Sequence, residues 1–276
     1  MRAGVRGGPR SQQGMALAIV VWFIAGMSLL VGGIVTHARI DTKMAQAHVA
    51  RAKAVAAGDG AIRMQLARGL AGPRRGEQDV NLLLGEHRLG ELRVTVQLYP
   101  TTGLIGLNSA SSEMLAALFE VVGQLPPDEA NALAGDVVKW REGASLTGNN
   151  NGPKRFNTVE DLLRVEGMRR TLLDAVRDYV VAGNLAGRAV DWSVAPPGLL
   201  PVLARAAPDR VSAAQRRRDA AQESTGASLS GSYRADALVS YGGKQWLRRL
   251  WVSPGNGNGA FDWRVVRAEP ARVRPG

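Results

Sequence analysis

The first pattern in the chain is an uninterrupted apolar run near its start. Residues 15–35 carry no charged side chain, and these 21 positions would span about 31 Å as a helix. A bilayer's hydrocarbon core is about 30 Å thick, so the run predicts a single membrane span. The preceding residues contain Arg2, Arg6 and Arg10 and no acid, which places the amino terminus in the cytoplasm and the rest of the chain across the membrane.

Two other interpretations of the apolar run stay open. A secretory signal peptide has an apolar region of about 7 to 15 residues and ends at a small-x-small cleavage site. Ala45 and Ala47 could imitate that site, but they follow the run only after Arg39, Asp41 and Lys43, which disfavours a signal peptide. A plain membrane anchor, with no processing beside the run, is the stronger alternative.

The segment after the run has the spacing of a long amphipathic helix. Its apolar residues are separated mostly by multiples of three or four, which predicts one helix over residues 15–70 with a stripe that faces a soluble domain. Pro73 and the polar residues after it predict where the helix ends. The predicted stripe consists of Ile40, Met44, Ala47, Ala54, Ile62, Leu66 and Leu70.

Around residue 90 the apolar period changes to two, which is typical of a half-buried strand. Leu92, Val94, Val96 and Leu98 alternate with polar side chains. The sequence "YPTTG" that follows is typical of a turn, and "LIGLN" reads as a strand. We therefore expect a hairpin in which "LIGLN" pairs with the strand before it.

Helical spacing returns between residues 108 and 229. Helix-capping residues precede an apolar pattern in "NSASSEMLAALFEVVG", and another helix is predicted after Pro127. In "FNTVEDLLRVEGMRRTLLDAVRDYV", two short helices flank Gly167, which is a helix-hairpin-helix pattern. A shift of 85 residues aligns Leu115 with Leu200 and Leu118 with Leu203, and this weak echo predicts two related helical units.

Helix-hairpin-helix units can present backbone amides to DNA phosphates, so a nucleic-acid interpretation has to be weighed. The DNA-binding form resembles a hairpin with a Gly-apolar-Gly turn. Here Glu166, Gly167 and Met168 supply one glycine with an acid beside it, and a carboxylate repels phosphate. Helix packing is therefore favoured, and a membrane-anchored DNA receptor of the competence type is the alternative function.

The last part of the chain reads as three antiparallel strands. Residues 233–241, 245–252 and 260–269 are rich in apolar and aromatic side chains and are separated by glycine-containing turns. These strands can complete the sheet that the first hairpin begins, with the helices as an insertion. The fold class predicted is α+β.

Composition excludes several kinds of site. The chain has 276 residues and a formal charge of +11, and a basic surface alone selects neither nucleic acid, lipid nor acidic protein as a partner. Without cysteine it can form no disulfide, iron-sulfur cluster or thiolate zinc site. His37, His48 and His87 are its only histidines, and no catalytic or phosphate-binding motif is present. We expect no enzyme activity and no cofactor.

Taken together, these motifs resemble the minor pseudopilin K subunit of type II secretion systems (the GspK family, which is type IV pilin-like). They are a basic leader that ends in glycine, the run "GMALAIVVWFIAGMSLLVGGI", "GLIGLNSASSEMLAALF", "FNTVEDLLRVEGM" and a terminal "WRVVRAE". The resemblance implies a transmembrane helix that continues into a pilin-like antiparallel sheet domain with an inserted helical domain. The implied parts are a leader (1–14), a long helix (15–70, with 15–35 in the membrane), a sheet subdomain (71–107 and 230–270) and the helical insertion (108–229).

The resemblance also implies how the amino terminus is processed. In this family a prepilin peptidase cleaves after the leader's glycine, here Gly14, and methylates the new terminus, here Met15. Most pilin-like subunits carry a glutamate at the fifth mature position, where its carboxylate can neutralise the terminus of a neighbouring subunit. Here that position is Ile19. A buried carboxylate without a cation costs several kcal/mol, so an apolar residue suits the first subunit of a filament. The alternative is that Ile19 is ordinary membrane-facing bulk.

The implied role is to initiate the pseudopilus tip with other minor pseudopilins and to support protein export across the outer membrane. The implied partners are the I and J subunits, with the H subunit, secreted proteins and the outer-membrane secretin as further candidates, and nucleic acid is not favoured. The expected location is the inner membrane, in a single pass with the carboxyl-terminal domain in the periplasm. Some family members resemble calcium-binding proteins after the helix that ends in "KWREG", but Glu142 and the asparagines that follow are too few oxygen ligands, so we expect no metal there.

Overall fold

The computed structural model describes residues 12–71, 83–143, 155–185, 187, 189–223, 229, 231–255 and 263–274. Within the helices, the side chains of residues 12–16, 32, 34–38, 70, 71 and 221–223 also lie outside the description. Internal contacts divide the chain into two units, Met1–Lys53 and Ala54–Gly276.

Helices and antiparallel strands both occur in the described residues, which confirms the α+β class. The α-helices are α1 (Gln12–Ala71), α2 (Ser112–Val121), α3 (Pro127–Glu142), α4 (Arg170–Val176), α5 (Leu200–Ala206) and α6 (Val211–Glu223). The strands are β1 (Leu84–Leu89), β2 (Leu92–Pro100), β3 (Ile105–Gly106), β4 (Val180–Val181), β5 (Tyr233–Tyr241), β6 (Lys244–Pro254), β7 (Trp263–Ala268) and β8 (Arg272–Val273).

The first unit consists, as far as it is described, of the amino-terminal part of α1. Its described side chains from Leu17 to Val49 are all exposed. No helix among the described residues combines the length and the apolar character that a membrane crossing needs. The predicted span, 15–35, includes residues whose side chains lie outside the description, and it stays a prediction.

In the second unit, the remaining part of α1 buries one face. Ala54, Ala61, Ile62 and Leu66 are at most 3% exposed and recur at helical spacing. The predicted stripe was wrong in its first half, because Ile40 and Met44 are 48% and 55% exposed, and Ala47 is exposed as well. Periodicity indicates a helical face, but it does not tell where along a helix the contact with a sheet begins.

The main sheet has the strand order β1-β2-β5-β6-β7, and β8 also pairs with β6. All of these pairs are antiparallel, so the three carboxyl-terminal strands join the sheet as predicted. One face of the sheet packs against α1, where a Cβ on Gly58 would lie 2.7 Å from the Cβ of Arg248 and 3.5 Å from that of Ala237. Small residues on α1 permit this close approach.

The predicted pairing of "LIGLN" with β2 was wrong. The hairpin partner of β2 is β1, which precedes it, with a turn at Gly90, where φ is +61°. The "LIGLN" strand is the two-residue β3, and it pairs in parallel with β4, about seventy residues further on, through Ile105 and Val180. A half-buried strand can pair with either neighbour, and local spacing does not distinguish them.

The helices between β2 and β5 enclose a second hydrophobic core. Ser111 caps α2 by accepting a hydrogen bond from the Met114 N–H, and Gly143 ends α3 in the left-handed region. Helices α2 and α5, which carry the internal echo, bury their apolar faces in this one core. Its fully buried members include Leu107, Leu115, Leu118, Phe119, Val137, Phe156, Leu162, Val176 and Leu199.

Candidate functional site

One candidate surface is the exposed apolar segment of α1, residues 17–31. Trp22 is 81% exposed, Leu29 is 83% exposed, and Phe23 is 67% exposed. Consecutive side chains point in directions about 100° apart around a helix, so this apolar surface surrounds the helix rather than forming one stripe. Continuous apolar surface of this kind marks a membrane or protein interaction site.

The two predicted processing positions and the fifth mature position lie at the start of this helix. Gly14 and Met15 belong to α1, but their side chains lie outside the description. Ile19 is described and is 66% exposed. Cleavage after Gly14, methylation of Met15 and the role of Ile19 therefore stay predictions.

The two sequence motifs "GLIGLN" and "FNTVEDL" meet in space. The Asn108 amide group donates to the Phe156 carbonyl oxygen at 2.9 Å and accepts from the Phe156 N–H at 2.9 Å. The Phe156 ring stacks on Trp140, with ring centroids 4.3 Å apart. These contacts join the start of the helical insertion to its middle, so the two motifs have a structural role in the fold.

The helix-hairpin-helix pattern is present as a 3₁₀ helix, Val159–Arg164, followed by α4. Gly167 has φ +84°, which permits the tight turn between them. The arginines after the turn are engaged by carboxylates: Arg169 with Glu129, and Arg170 with Asp174. Glu166 is exposed beside them, so the hairpin does not present a free cationic surface to phosphate.

The most strongly charged feature is a cleft of about 810 Å³ on the sheet face opposite α1. We call it the arginine cleft. One wall is formed by β2, β5 and β6, and the other by α4 and the segment around Pro197. Its lining includes six arginines and three aspartates: Arg170, Arg177, Arg234, Arg249, Arg272, Arg274, Asp174, Asp178 and Asp236.

A buried ion-pair network forms the floor of the arginine cleft. Arg249 donates to both carboxylate oxygens of Asp236, at 2.6 and 2.8 Å, and to Asp178 at 2.7 Å. Arg234 donates to the backbone carbonyl of Asp178 and lies over the Tyr99 ring, 4.2 Å from its centroid. Because Asp178 follows α4 and Arg249 belongs to β6, the network joins the helical insertion to the sheet.

The charges of this network support one another. Burial raises the pKa of Asp178, but Arg249 and its neighbours outweigh that effect and bring the pKa below the usual value. Burial likewise lowers the pKa of Arg249, and Asp236 and Asp178 more than reverse the change. Arg234 has a lowered pKa because burial dominates over its aspartate neighbours. The carboxylates around Arg249 therefore offset the effect of burial on its guanidinium, whereas those around Arg234 do not.

Sequence reasoning missed this cleft. In "YRADAL", Arg234 and Asp236 alternate with alanines, so a polar strand face could have been noticed. Their partner Asp178 lies far away in the sequence, and nothing local links them. Among the described residues, no group of three or more His, Asp or Glu side chains could hold a metal ion. Residues 144–154, part of the region where we expected no metal, lie outside them.

Comparison with known proteins finds similarity among solved structures. No protein-family model matches the chain, and none of the curated proteins matches it. The fold is similar to a chain in the crystal structure of the GspK-GspI-GspJ complex from the enterotoxigenic Escherichia coli type 2 secretion system. The sequence identity is 14%, the TM-score is 0.45, and the match covers 85% of this chain and 99% of that one.

Proposed function

We propose that this chain is a minor pseudopilin that starts the tip of a type II secretion pseudopilus and supports protein export across the outer membrane. The observation that carries the proposal is the exposed apolar segment of α1, in which Trp22 and Leu29 are more than four-fifths exposed. A helix that is apolar on all sides needs lipid or other apolar helices around it. A membrane anchor that later packs in a filament meets both needs.

The proposal gives the leader and Met15 distinct roles. Before assembly, the apolar run anchors the chain in the inner membrane, with Arg2, Arg6 and Arg10 on the cytoplasmic side and the carboxyl-terminal domain in the periplasm. A prepilin peptidase then cleaves after Gly14 and methylates Met15. The apolar run is kept, as a filament subunit requires, whereas a secretory signal would be lost.

Ile19 fits the position of a first subunit. A follower subunit uses a carboxylate at its fifth mature position to neutralise the amino terminus of the subunit before it. A first subunit has no predecessor, so a carboxylate there would be buried without a cation, at a cost of several kcal/mol. An isoleucine avoids that cost.

The partners that this function implies are the I and J minor pseudopilins, with the H subunit as a further candidate. The prepilin peptidase is a further partner, which acts on the leader. Secreted proteins and the outer-membrane secretin are candidate contacts of the assembled tip. These partners are inferred from the sequence motifs, and the exposed apolar segment gives them a surface on which to pack.

Co-purification tests this function directly. The tagged full chain is expressed with its genome's I and J pseudopilins, extracted in mild detergent and captured, and we expect both subunits to be retained at equal stoichiometry. A control expression replaces I and J with the major pseudopilin, which should be retained weakly. If the chain captures neither subunit and instead binds duplex DNA with an affinity that falls steeply with salt, it is a DNA receptor and the proposal is wrong.

A further inference from the structure

The arginine cleft has an uneven distribution of charge between its floor and its mouth. On the floor, Arg249 is 2% exposed and is paired with both Asp236 and Asp178. At the mouth, the side chains of Arg170 and Arg272 are 64% and 39% exposed. The lining has a formal excess of three positive charges, and its exposed part lies at the mouth.

Arg274 adds a further cation to the cleft. It follows β8, is exposed, and lines the cleft. Among the described residues, no carboxylate lies within ion-pair distance of its guanidinium, whereas Arg272 has only a 3.4 Å contact with Asp178. Arg274 is therefore available to an anion from outside, and Arg272 can contact the same anion by giving up its single 3.4 Å contact with Asp178.

Further inside the cleft, Arg234 is not available to a ligand. It is 3% exposed, and its Nε faces a carboxylate oxygen of Asp236 at 3.3 Å. That nitrogen is fully buried, so an anion that enters the cleft meets the arginines at the mouth and not the Arg234 Nε.

The walls of the cleft indicate the class of anion. Tyr179 and Pro197 offer apolar surface between the charged groups, whereas Pro196 is buried and Arg234 lies over the Tyr99 ring. Asp174 and Asp178 lie between the arginines, and their carboxylates would repel a nucleic-acid strand, which carries a phosphate at every nucleotide. A peptide can instead place one carboxylate on the arginines and an apolar side chain on the rings.

We propose that the arginine cleft is a binding site for an acidic peptide segment of another protein. An aspartate or glutamate carboxylate accepts hydrogen bonds from Arg272 and Arg274 at the mouth. Neighbouring apolar residues of the peptide pack on Tyr179 and Pro197. The inference holds whatever the role of the apolar segment of α1, because it uses only residues of the second unit.

The test measures binding of short fluorescent peptides to the detergent-solubilised full chain by anisotropy. One peptide alternates glutamate with leucine, and the other has glutamine in place of every glutamate. We expect the glutamate peptide to bind and the double variant R272Q/R274Q to weaken that binding about tenfold or more. The matched control R216Q/R217Q removes two exposed arginines from α6 and should change the affinity less than about twofold.

Thermal unfolding of each variant shows whether it is still folded. If R272Q/R274Q is destabilised, the single variant R274Q is measured instead, because the Arg274 guanidinium has no carboxylate partner among the described residues. The proposal is overturned if the glutamate and glutamine peptides bind equally, or if R274Q and R272Q/R274Q bind as the unmodified chain does. It is also overturned if a single-stranded oligonucleotide binds at these arginines more tightly than the glutamate peptide. If the co-purification experiment failed to capture the I and J subunits, the outcome of this peptide-binding test would not change.

Discussion

Asn108 and Phe156 are joined by two hydrogen bonds of 2.9 Å, in which one side-chain amide satisfies both the N–H and the carbonyl of the other residue's backbone. Phe156 is fully buried, so these backbone groups have little access to water. The pair closes the core of the helical insertion across 48 residues of sequence.

Asn108→Ala should therefore destabilise the fold. The Phe156 N–H would lose its partner, whereas the Phe156 carbonyl would still accept from the Gly183 N–H at 2.9 Å. We therefore expect a loss of about 1 to 3 kcal/mol in the free energy of unfolding. Chemical denaturation of the full chain in detergent, followed by tryptophan fluorescence, measures it. Asn131→Ala, at an exposed position of α3, is the matched control, and equal stability of the two variants would contradict this reading of the pair.

Two glycines of α1, Gly58 and Gly60, should respond in opposite directions to substitution by alanine. A Cβ on Gly58 would lie 2.7 Å from the Cβ of Arg248, and that side chain is held by Asp59 through contacts of 2.7 and 3.2 Å. Gly58→Ala should thus cost about 1 to 3 kcal/mol through overpacking. Gly60→Ala meets only Leu89 at 3.6 Å and should gain up to about 1 kcal/mol from helix propensity. Denaturation midpoints that shift in the same direction for both variants would count against the described packing of α1 on the sheet.

The environment of His87 should make the stability of the fold depend on pH. Its Nε2 lies 2.9 Å from the Oε1 of the buried Gln65, and burial, helped by Arg68, lowers its pKa below the ordinary 6.5. As the pH falls below 6.5, the unfolded chain takes up the proton before the folded chain does, so stability falls. His87→Gln should remove this part of the slope of unfolding free energy between neutral and mildly acidic pH. His48→Gln, at an exposed position, should leave the slope as it is, and an unchanged slope in His87→Gln would refute the assignment.

Ile19→Glu tests the role of the fifth mature position. The new carboxylate would be buried without a cation in a first subunit, at a cost of several kcal/mol, so capture of the I and J subunits should fall at least about tenfold. Ile19→Leu keeps the apolar character and should behave as the unmodified chain. Unchanged capture together with unchanged protein secretion in Ile19→Glu would remove the argument about the first subunit.

Local patterns were sufficient to predict much of the sheet. Residues 233–241 were predicted as a strand from their composition and turns, and β5 has these bounds. The end of the long helix, expected near Leu70, falls at Ala71. In each case the signal lies within a few residues of the feature, either as apolar alternation or as a helix-ending proline.

Features that depend on distant partners were not predictable. β1, "LGEHRL", is an edge strand with mixed exposure, so it lacks the apolar alternation that revealed β2. The two-residue β3 is defined only by its parallel partner β4. The arginine cleft combines Asp178 with Arg234 and Arg249 from two strands of the sheet, and no spacing rule brings those residues together.

The central claim is that Gly14 marks a cleavage site and that the apolar run stays in the mature protein. Mass spectrometry of the intact native chain and of its amino-terminal peptide, after purification from the membrane fraction of its own host, tests this claim most directly. We expect a chain that begins at N-methylated Met15. A chain that still carries Arg2, Arg6 and Arg10, or one cut beyond the apolar run, would contradict it.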